Sequence, residues 1–226
     1  PKHDGIKNGL NIINTQNSLV KFNSNIKKKE NTGLILIGGP SKHYFWDSKT
    51  VLEEICKMVR EEDPNHPTMA VTAGVDVAEI KLINKYTPSL DILGVNTYGD
   101  ISYLPEAIKV YGWEKPYVVA EWGPYGWWEV EKTKWGASIE QNSSEKAATY
   151  QKSIDAINSD KANCLGSYVF LWGQKQEHTS TWFGLFTEAG DETEVMDVLI
   201  SSWSNKPPEN YSPTIKNFKL NNSMSK

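Results

Sequence analysis

The hydrophobic positions of the chain fall into two kinds of segment that alternate along it. Short runs that are apolar at nearly every position, bounded by glycine or proline, are typical of strands buried on both faces of a parallel sheet. Such runs occur at residues 33–39, 68–74, 90–99, 116–123 and 164–173.

The segments between these runs carry apolar residues at helical spacing. Helices are predicted from Asp47 or Ser48 to the Asp63-Pro64 pair, and at residues 77–86, 104–113, 143–160 and 192–203. In the fourth of these, Ser143 or Ser144 is the expected N-cap. Regular alternation of strands and helices predicts an α/β fold built from βα units around a parallel sheet.

Polar residues collect where the predicted strands end. Asn96 and Tyr98 follow one strand, Glu121 and Trp122 the next, and Trp172 the last. A (β/α)8 barrel builds its active site at that rim, from eight strands and ~250 residues. Because residues 1–32 are too few for three further units, we expect a partial TIM barrel containing about strands four to eight.

The predicted barrel domain covers residues 33–205. Residues 1–32 form a polar, poorly defined segment whose weak apolar pattern would fit a short helix; that pattern consists of Ile13, Leu19, Val20, Phe22 and Ile26. Residues 206–226 contain three prolines followed by alternating apolar positions, which indicates a linker and the start of a following β-domain. We expect upstream barrel strands and this downstream domain in the intact protein.

Composition narrows the function classes. The 226 residues carry a net charge of −4 without a basic cluster, so no nucleic-acid partner is expected. No apolar run approaches the ~20 residues of a membrane span. The cysteines, Cys56 and Cys164, lie in apolar patterns as free thiols, the four histidines are scattered, and no metal or organic cofactor is implied.

Tryptophan is unusually frequent. The chain has nine, and five of them lie between residues 113 and 135. Flat indole faces suit the flat faces of sugar rings, which indicates a carbohydrate site, although large aromatic side chains also fill cores.

Several of these segments, taken in order, resemble a known enzyme family. The series "DPNHP … LDILGVNTYG … KPYVVAEWGP … CLGSYVFLWGQ" resembles the catalytic barrel of family 2 glycoside hydrolases, over about residues 33–205. The resemblance implies a retaining β-glycosidase that acts on oligo- or polysaccharide, with catalytic glutamates at the ends of barrel strands four and seven. It also implies an extracellular or periplasmic location.

The resemblance assigns roles to single residues. If residues 116–123 are barrel strand seven, Glu121 matches the catalytic nucleophile, and Tyr98 matches the tyrosine that donates a hydrogen bond to it. Trp172 matches the aromatic floor beneath the sugar ring. The residues expected to bind substrate are Asn96, Tyr98, Trp122, Trp128, Trp172, Gln174 and Trp182.

The second catalytic acid is missing from its expected place. Strand four of the family typically ends in Gly-Asn-Glu, whereas Gly39-Pro40 stand here. The nearby Asp47, Glu53 and Glu54 fall at or inside the next predicted helix and are expected to have capping or solvated roles. The alternatives are a catalytically inactive carbohydrate-binding relative, an altered segment before residue 40, an acid supplied from elsewhere, or a truncated fragment that does not fold or act alone.

Overall fold

The computed structural model describes residues 48–214 and two short strands that precede them. The chain divides into two compact units, residues 1–51 and 52–226. In the first unit, strands β1 (Ile12–Asn14) and β2 (Leu19–Lys21) pair antiparallel.

The pairing of β1 with β2 shows that the short helix expected near the start of the chain is wrong. Ile13 lies opposite Val20 in the β1–β2 ladder. Because isoleucine and valine are branched at Cβ, they favour extended backbone over helix. The remaining positions of that apolar pattern, Phe22 and Ile26, lie outside the described residues, as do the predicted strand 33–39, Pro40 and Asp47.

The second unit alternates helices and strands. The elements from residue 48 onward are α1 (Ser48–Glu62), β3 (Met69–Ala73), α2 (Val77–Tyr86), β4 (Ile92–Asn96), a 3-10 helix (Gly99–Tyr103), α3 (Leu104–Val110), β5 (Tyr117–Trp122), α4 (Ser143–Ser159), β6 (Cys164–Val169) and α5 (Glu194–Ser204).

The four strands β3 to β6 form one parallel sheet in their order along the chain. A helical segment connects each strand to the next, so the sheet consists of successive βα units. This is the arrangement of consecutive strands in a (β/α) barrel, and it confirms the predicted α/β class and partial barrel.

Local side-chain caps define where two of the helices begin. Asp76 caps α2 by accepting from the Ala78 and Glu79 amides at 2.7 and 2.9 Å. Asn142 caps α4 in a reciprocal capping box with Glu145, both bonds being 2.9 Å long. The expected cap at Ser143 or Ser144 is therefore wrong, because the better acceptor lies one residue earlier.

The last strand is shorter than its apolar run. β6 ends at Val169, and the Leu171 amide donates to the Phe183 carbonyl at 3.1 Å instead of continuing the ladder. The residues that follow, including Trp172 and Gln174, therefore belong to a rim loop. The apolar pattern of the sequence did not indicate that the backbone hydrogen bonds change from β5 to the segment around Phe183.

The two faces of the sheet differ in what covers them. One face packs against the helices and forms the main core, which includes Leu93, Val95, Val119, Trp122, Ile108, Tyr150, Ile154 and Leu199. On the opposite face Met69 and Val71 of β3 are exposed. A Cβ added at Gly94 would lie 2.7 Å from the Val71 side chain, which places Gly94 on that same open face.

Three further features concern the described part of the chain. Within residues 48–214, no helix has both the length and the apolar character needed to cross a bilayer. Over the same residues, no group of three or more potential metal-binding side chains comes together. Cys56 is buried and Cys164 half-buried, both as free thiols.

Candidate active site

The candidate site lies where β4 and β5 end. Asn96, the last residue of β4, is paired in the ladder with Glu121 of β5. The Thr97 amide then donates to the Glu121 carbonyl at 2.8 Å. Since both strands run in the same direction, their polar end residues meet at the carboxyl edge of the sheet, as the sequence predicted.

An extra residue in β5 determines which face of the sheet Glu121 occupies. Val95 of β4 pairs with Val119, but the next residue, Asn96, pairs with Glu121, so Ala120 is a bulge. Val119 and Trp122 both belong to the helix-side core, three positions apart. Regular alternation would have put Glu121 on the same face as Val119. The bulge instead leaves the carboxylate on the open side.

Tyr98 holds the Glu121 carboxylate. Its hydroxyl donates to Glu121 Oε1 at 2.5 Å, and the Asn96 amide nitrogen makes a longer 3.4 Å contact with Oε2. Burial of the phenol, followed by the hydrogen bond and charge of Glu121, raises the pKa of Tyr98 far above its usual range. The phenol therefore stays protonated and acts as a hydrogen-bond donor.

Tyr98 itself is one member of a closed circuit of six rings from three rim segments. Neighbouring ring centroids in this circuit are 4.3 to 6.5 Å apart. In order, the circuit contains Tyr98, Trp128, Trp127, His178, Trp182 and Phe183. The packing fixes the phenol in the position from which it reaches Glu121, and it links the loops that follow β4, β5 and β6.

The five other predicted substrate contacts differ in exposure. Trp128 is 51% exposed and Trp172 63% exposed, so both offer an indole face to solvent. Gln174 is exposed too, with its amide donating to the Ser180 carbonyl at 3.1 Å. Trp128 contacts Tyr98 directly, whereas Trp172 packs edge-on against Phe186 with centroids 5.1 Å apart.

Trp122 and Trp182 are buried instead. Trp122 is 1% exposed and packs against Tyr150, with ring centroids 5.1 Å apart. Trp182 is 2% exposed, and its indole N–H donates to the Tyr125 carbonyl at 2.9 Å. Their packing does not support direct contact with a substrate, and both indoles serve the core and the rim scaffold.

A buried ion pair holds two of the rim loops together. Glu140, from the β5–α4 loop, accepts from Lys146 of α4 at 2.5 Å and from the Thr179 and Thr181 hydroxyls at 2.6 and 2.8 Å. Burial opposes the charge of Glu140, but these bonds prevail and lower the pKa of its carboxyl. Burial lowers the pKa of Lys146. The network anchors the loop that carries His178.

The carboxylates considered for the missing acid make other contacts. Glu53 accepts from the Ser89 amide and hydroxyl at 3.0 and 2.9 Å, and Glu54 pairs with Lys57 at 3.4 Å. Burial opposes ionisation of Glu53, but the Ser89 bonds prevail and lower the pKa of its carboxyl. Glu54 is exposed, as expected for a solvated role, whereas Glu53 is 8% exposed and lies inside α1, so the capping or solvated role expected for Glu53 is wrong.

Sequence reasoning missed one carboxylate at this rim. Glu129, seven residues beyond the strand end at Trp122, accepts from the Gly99 amide at 3.0 and 3.1 Å and from the Gly126 amide at 2.7 Å. An acid placed three residues after a glycine in a turn-rich segment is a weak signal. It gives no indication of the distant Gly99 partner.

Comparison with known proteins gives partial matches to solved structures. No family model matches the chain, and no curated protein sequence matches it. An exo-β-1,3-glucanase of family GH128 from Aureobasidium namibiae aligns with a TM-score of 0.45 and 16% identity, over 64% of this chain and 59% of that one. β-Glucuronidase 2 of Bacteroides uniformis aligns with a TM-score of 0.48 and 14% identity, over 67% of this chain and 19% of that one.

A GH113 β-1,4-mannanase gives a similar result, with a TM-score of 0.46 and 16% identity over 68% of this chain and 50% of that one. The chain thus spans less than two thirds of the length of each of these glycosidases. The TM-scores lie below 0.5, so the function of this chain has to be argued from its own side chains. Membership of family 2 stays a prediction.

Proposed function

We propose that this chain carries the nucleophile side of a retaining β-glycosidase site that acts on oligo- or polysaccharide, with Glu121 as the nucleophile. The observation that carries the proposal is the 2.5 Å hydrogen bond from Tyr98 to Glu121 at the carboxyl edge of a parallel sheet. It gives a carboxylate that is oriented, backed by a donor that keeps its proton, and open on one side.

The proposed chemistry uses the two Glu121 oxygens differently. Oε1 is held by Tyr98, while Oε2 has only the long Asn96 contact among the described residues and is the freer oxygen. Oε2 would attack the anomeric carbon, the bond from that carbon to the leaving oxygen would break, and a glycosyl ester would form. Water would then hydrolyse the ester and return Glu121 to its ionised state.

The sugar would be held mainly by exposed aromatic faces. Trp128 stands beside Tyr98 and is half exposed, and Trp172 presents a second indole on the loop after β6. Stacking on these faces would position the ring, with Asn96 and Gln174 as polar neighbours. The extracellular or periplasmic location, the upstream strands and the downstream β-domain belong to the same proposal.

A mechanism-based inactivator tests the assignment. A 2-fluoro glycoside with an activated leaving group is incubated with the full-length protein, and the labelled peptide is mapped by mass spectrometry. We expect one adduct, on Glu121. The Glu121→Gln variant serves as control and should take up no label, and a label on any other residue would sink the assignment.

The alternative is a carbohydrate-binding protein without turnover, favoured by Pro40 at the place where the resemblance expects the acid. Aryl glycosides separate the two functions, because a phenolate that leaves easily needs no proton from an acid. An enzyme short of its acid would still react with dinitrophenyl glycosides. Saturable oligosaccharide binding with no reaction of any aryl glycoside would favour the binding protein.

A further inference from the structure

Glu129 is tied by hydrogen bonds to the backbone directly beside Tyr98. Both of its carboxylate oxygens accept from the Gly99 amide, at 3.0 and 3.1 Å. That amide belongs to the peptide unit that joins Tyr98 to Gly99. The carbonyl of the same unit accepts from the Ile101 amide at 3.1 Å. The peptide unit that sets the direction of Tyr98 is therefore held at both of its ends.

The same carboxylate also organises the segment that carries Trp128. Glu129 Oε2 accepts from the Gly126 amide at 2.7 Å, and the Glu129 amide donates to the Gly126 carbonyl at 2.9 Å, which closes a tight turn. Trp128 lies inside this turn, and its ring contacts Tyr98 with centroids 5.4 Å apart. One side chain thus connects the β4 end with the turn after β5.

The two glycines are needed for this close approach. A Cβ at Gly99 would lie 3.2 Å from the Glu129 carboxyl carbon and 3.0 Å from the Tyr125 ring, and a Cβ at Gly126 would lie 2.4 Å from the Trp128 ring. The backbone amides can reach the carboxylate because neither position carries a side chain. The hydrogen bonds from these two amides to Glu129 therefore depend on glycine at both positions.

We infer that Glu129 is a positioning residue of the proposed site, which acts on Glu121 through the Tyr98 hydroxyl. The inference rests on the proposed function. Glu129 does not suit the role of the missing acid, because both of its oxygens are occupied in accepting from the Gly99 and Gly126 amides. Its contribution is to fix the angle from which the phenol meets the nucleophile.

A double-mutant cycle tests the link. Glu129→Gln keeps the shape of the side chain but replaces one acceptor oxygen with an NH2 group that faces the amides. Glu131→Gln makes the same change of charge nearby and is the matched control. With a dinitrophenyl glycoside, we expect Glu129→Gln to lower kcat about fivefold in the native background and less than twofold in the Tyr98→Phe background. Equal losses in both backgrounds would mean a merely structural role and would overturn the inference.

A second measurement does not depend on activity. The protein is labelled with 3-fluorotyrosine, and the 19F resonance of Tyr98 is assigned as the one that Tyr98→Phe removes. We expect Glu129→Gln to shift or broaden this resonance while Glu131→Gln leaves it in place. An unchanged Tyr98 resonance in a folded Glu129→Gln protein, with native far-UV circular dichroism, would overturn the inference whether or not the protein hydrolyses glycosides. Absence of any Glu121 adduct in the native protein would instead count against the proposed function alone.

Discussion

Replacing Tyr98 with phenylalanine is the sharpest perturbation of the proposed site. The substitution removes the hydroxyl that lies 2.5 Å from Glu121 and keeps the ring that packs against Trp128 and Phe183. Since the phenol is buried within this aromatic packing, the change should affect the carboxylate and leave the fold intact. Tyr103→Phe, at an exposed tyrosine in the neighbouring 3-10 helix, is the matched control.

The effect should differ between the two chemical steps. Glu121 loses charge when it attacks the sugar and regains charge when the ester breaks, so the Tyr98 donor assists mainly the second step. A hydrogen bond to a charged group contributes about 2 kcal/mol. If about half of the charge has returned in the transition state, its loss costs about 1 kcal/mol, or about fivefold in the rate of ester hydrolysis.

Intact-protein mass spectrometry provides the assay. With a dinitrophenyl glycoside, the steady-state fraction of glycosyl-enzyme should rise in Tyr98→Phe and stay unchanged in Tyr103→Phe. Because the pKa of Tyr98 is raised far above its usual range, the ratio of native to variant rates should be constant between about pH 5 and 9. Slower formation of the adduct with unchanged hydrolysis would refute the reasoning.

Three further predictions concern the rim. Gly126→Ala should displace the Trp128 indole, because the added Cβ would lie 2.4 Å from that ring. The affinity for an oligosaccharide, measured by calorimetry, should fall while the melting temperature changes little. An unchanged affinity would contradict this prediction. Trp172→Ala should weaken oligosaccharide binding by about 1 kcal/mol in the same measurement, through loss of an exposed stacking face, with hydrolysis of small aryl glycosides retained; equal loss of both would contradict it. The pKa of Glu140 lies below its ordinary 4.5, so its contribution to stability is present above about pH 4.5 and disappears as the pH falls through its folded-state pKa. The free energy of unfolding in urea should therefore depend less on acid pH in Glu140→Gln than in the native protein. An identical pH dependence would argue against the ion pair with Lys146.

The order of strands and the meeting of Asn96, Tyr98 and Glu121 could be predicted from the sequence. Continuous apolar runs locate buried strands, and parallel strands bring their end residues to one edge of the sheet. Both inferences need only the local pattern of apolar residues and the parallel direction of strands that are joined by helices. The helices from residue 48 onward were located for the same reason, although the cap of α4 lies one residue earlier than expected, at Asn142, and the helix expected near the start of the chain is a pair of strands.

Contacts between segments far apart in sequence could not be predicted. Glu129 finds its partner 30 residues earlier, at Gly99, and Glu140 finds Thr179 39 residues later. Neither pair leaves a periodic pattern, since each depends on how two loops approach each other. The burial of Trp182 has the same origin, because a tryptophan in a polar loop gives no sign of whether that loop folds inward.

The bulge at Ala120 makes the orientation of Glu121 depend on how β5 pairs with β4. If the strand lost the bulge at its present length, regular alternation would turn the carboxylate toward the helices and bring the Trp122 indole to the open side. Deleting Ala120 would instead let Glu121 follow Val119 directly, so the carboxylate would stay on the open side and Trp122 would stay in the core. A single-codon deletion at position 120 should therefore keep the faces of both side chains, whereas a substitution that flattens the bulge should exchange them.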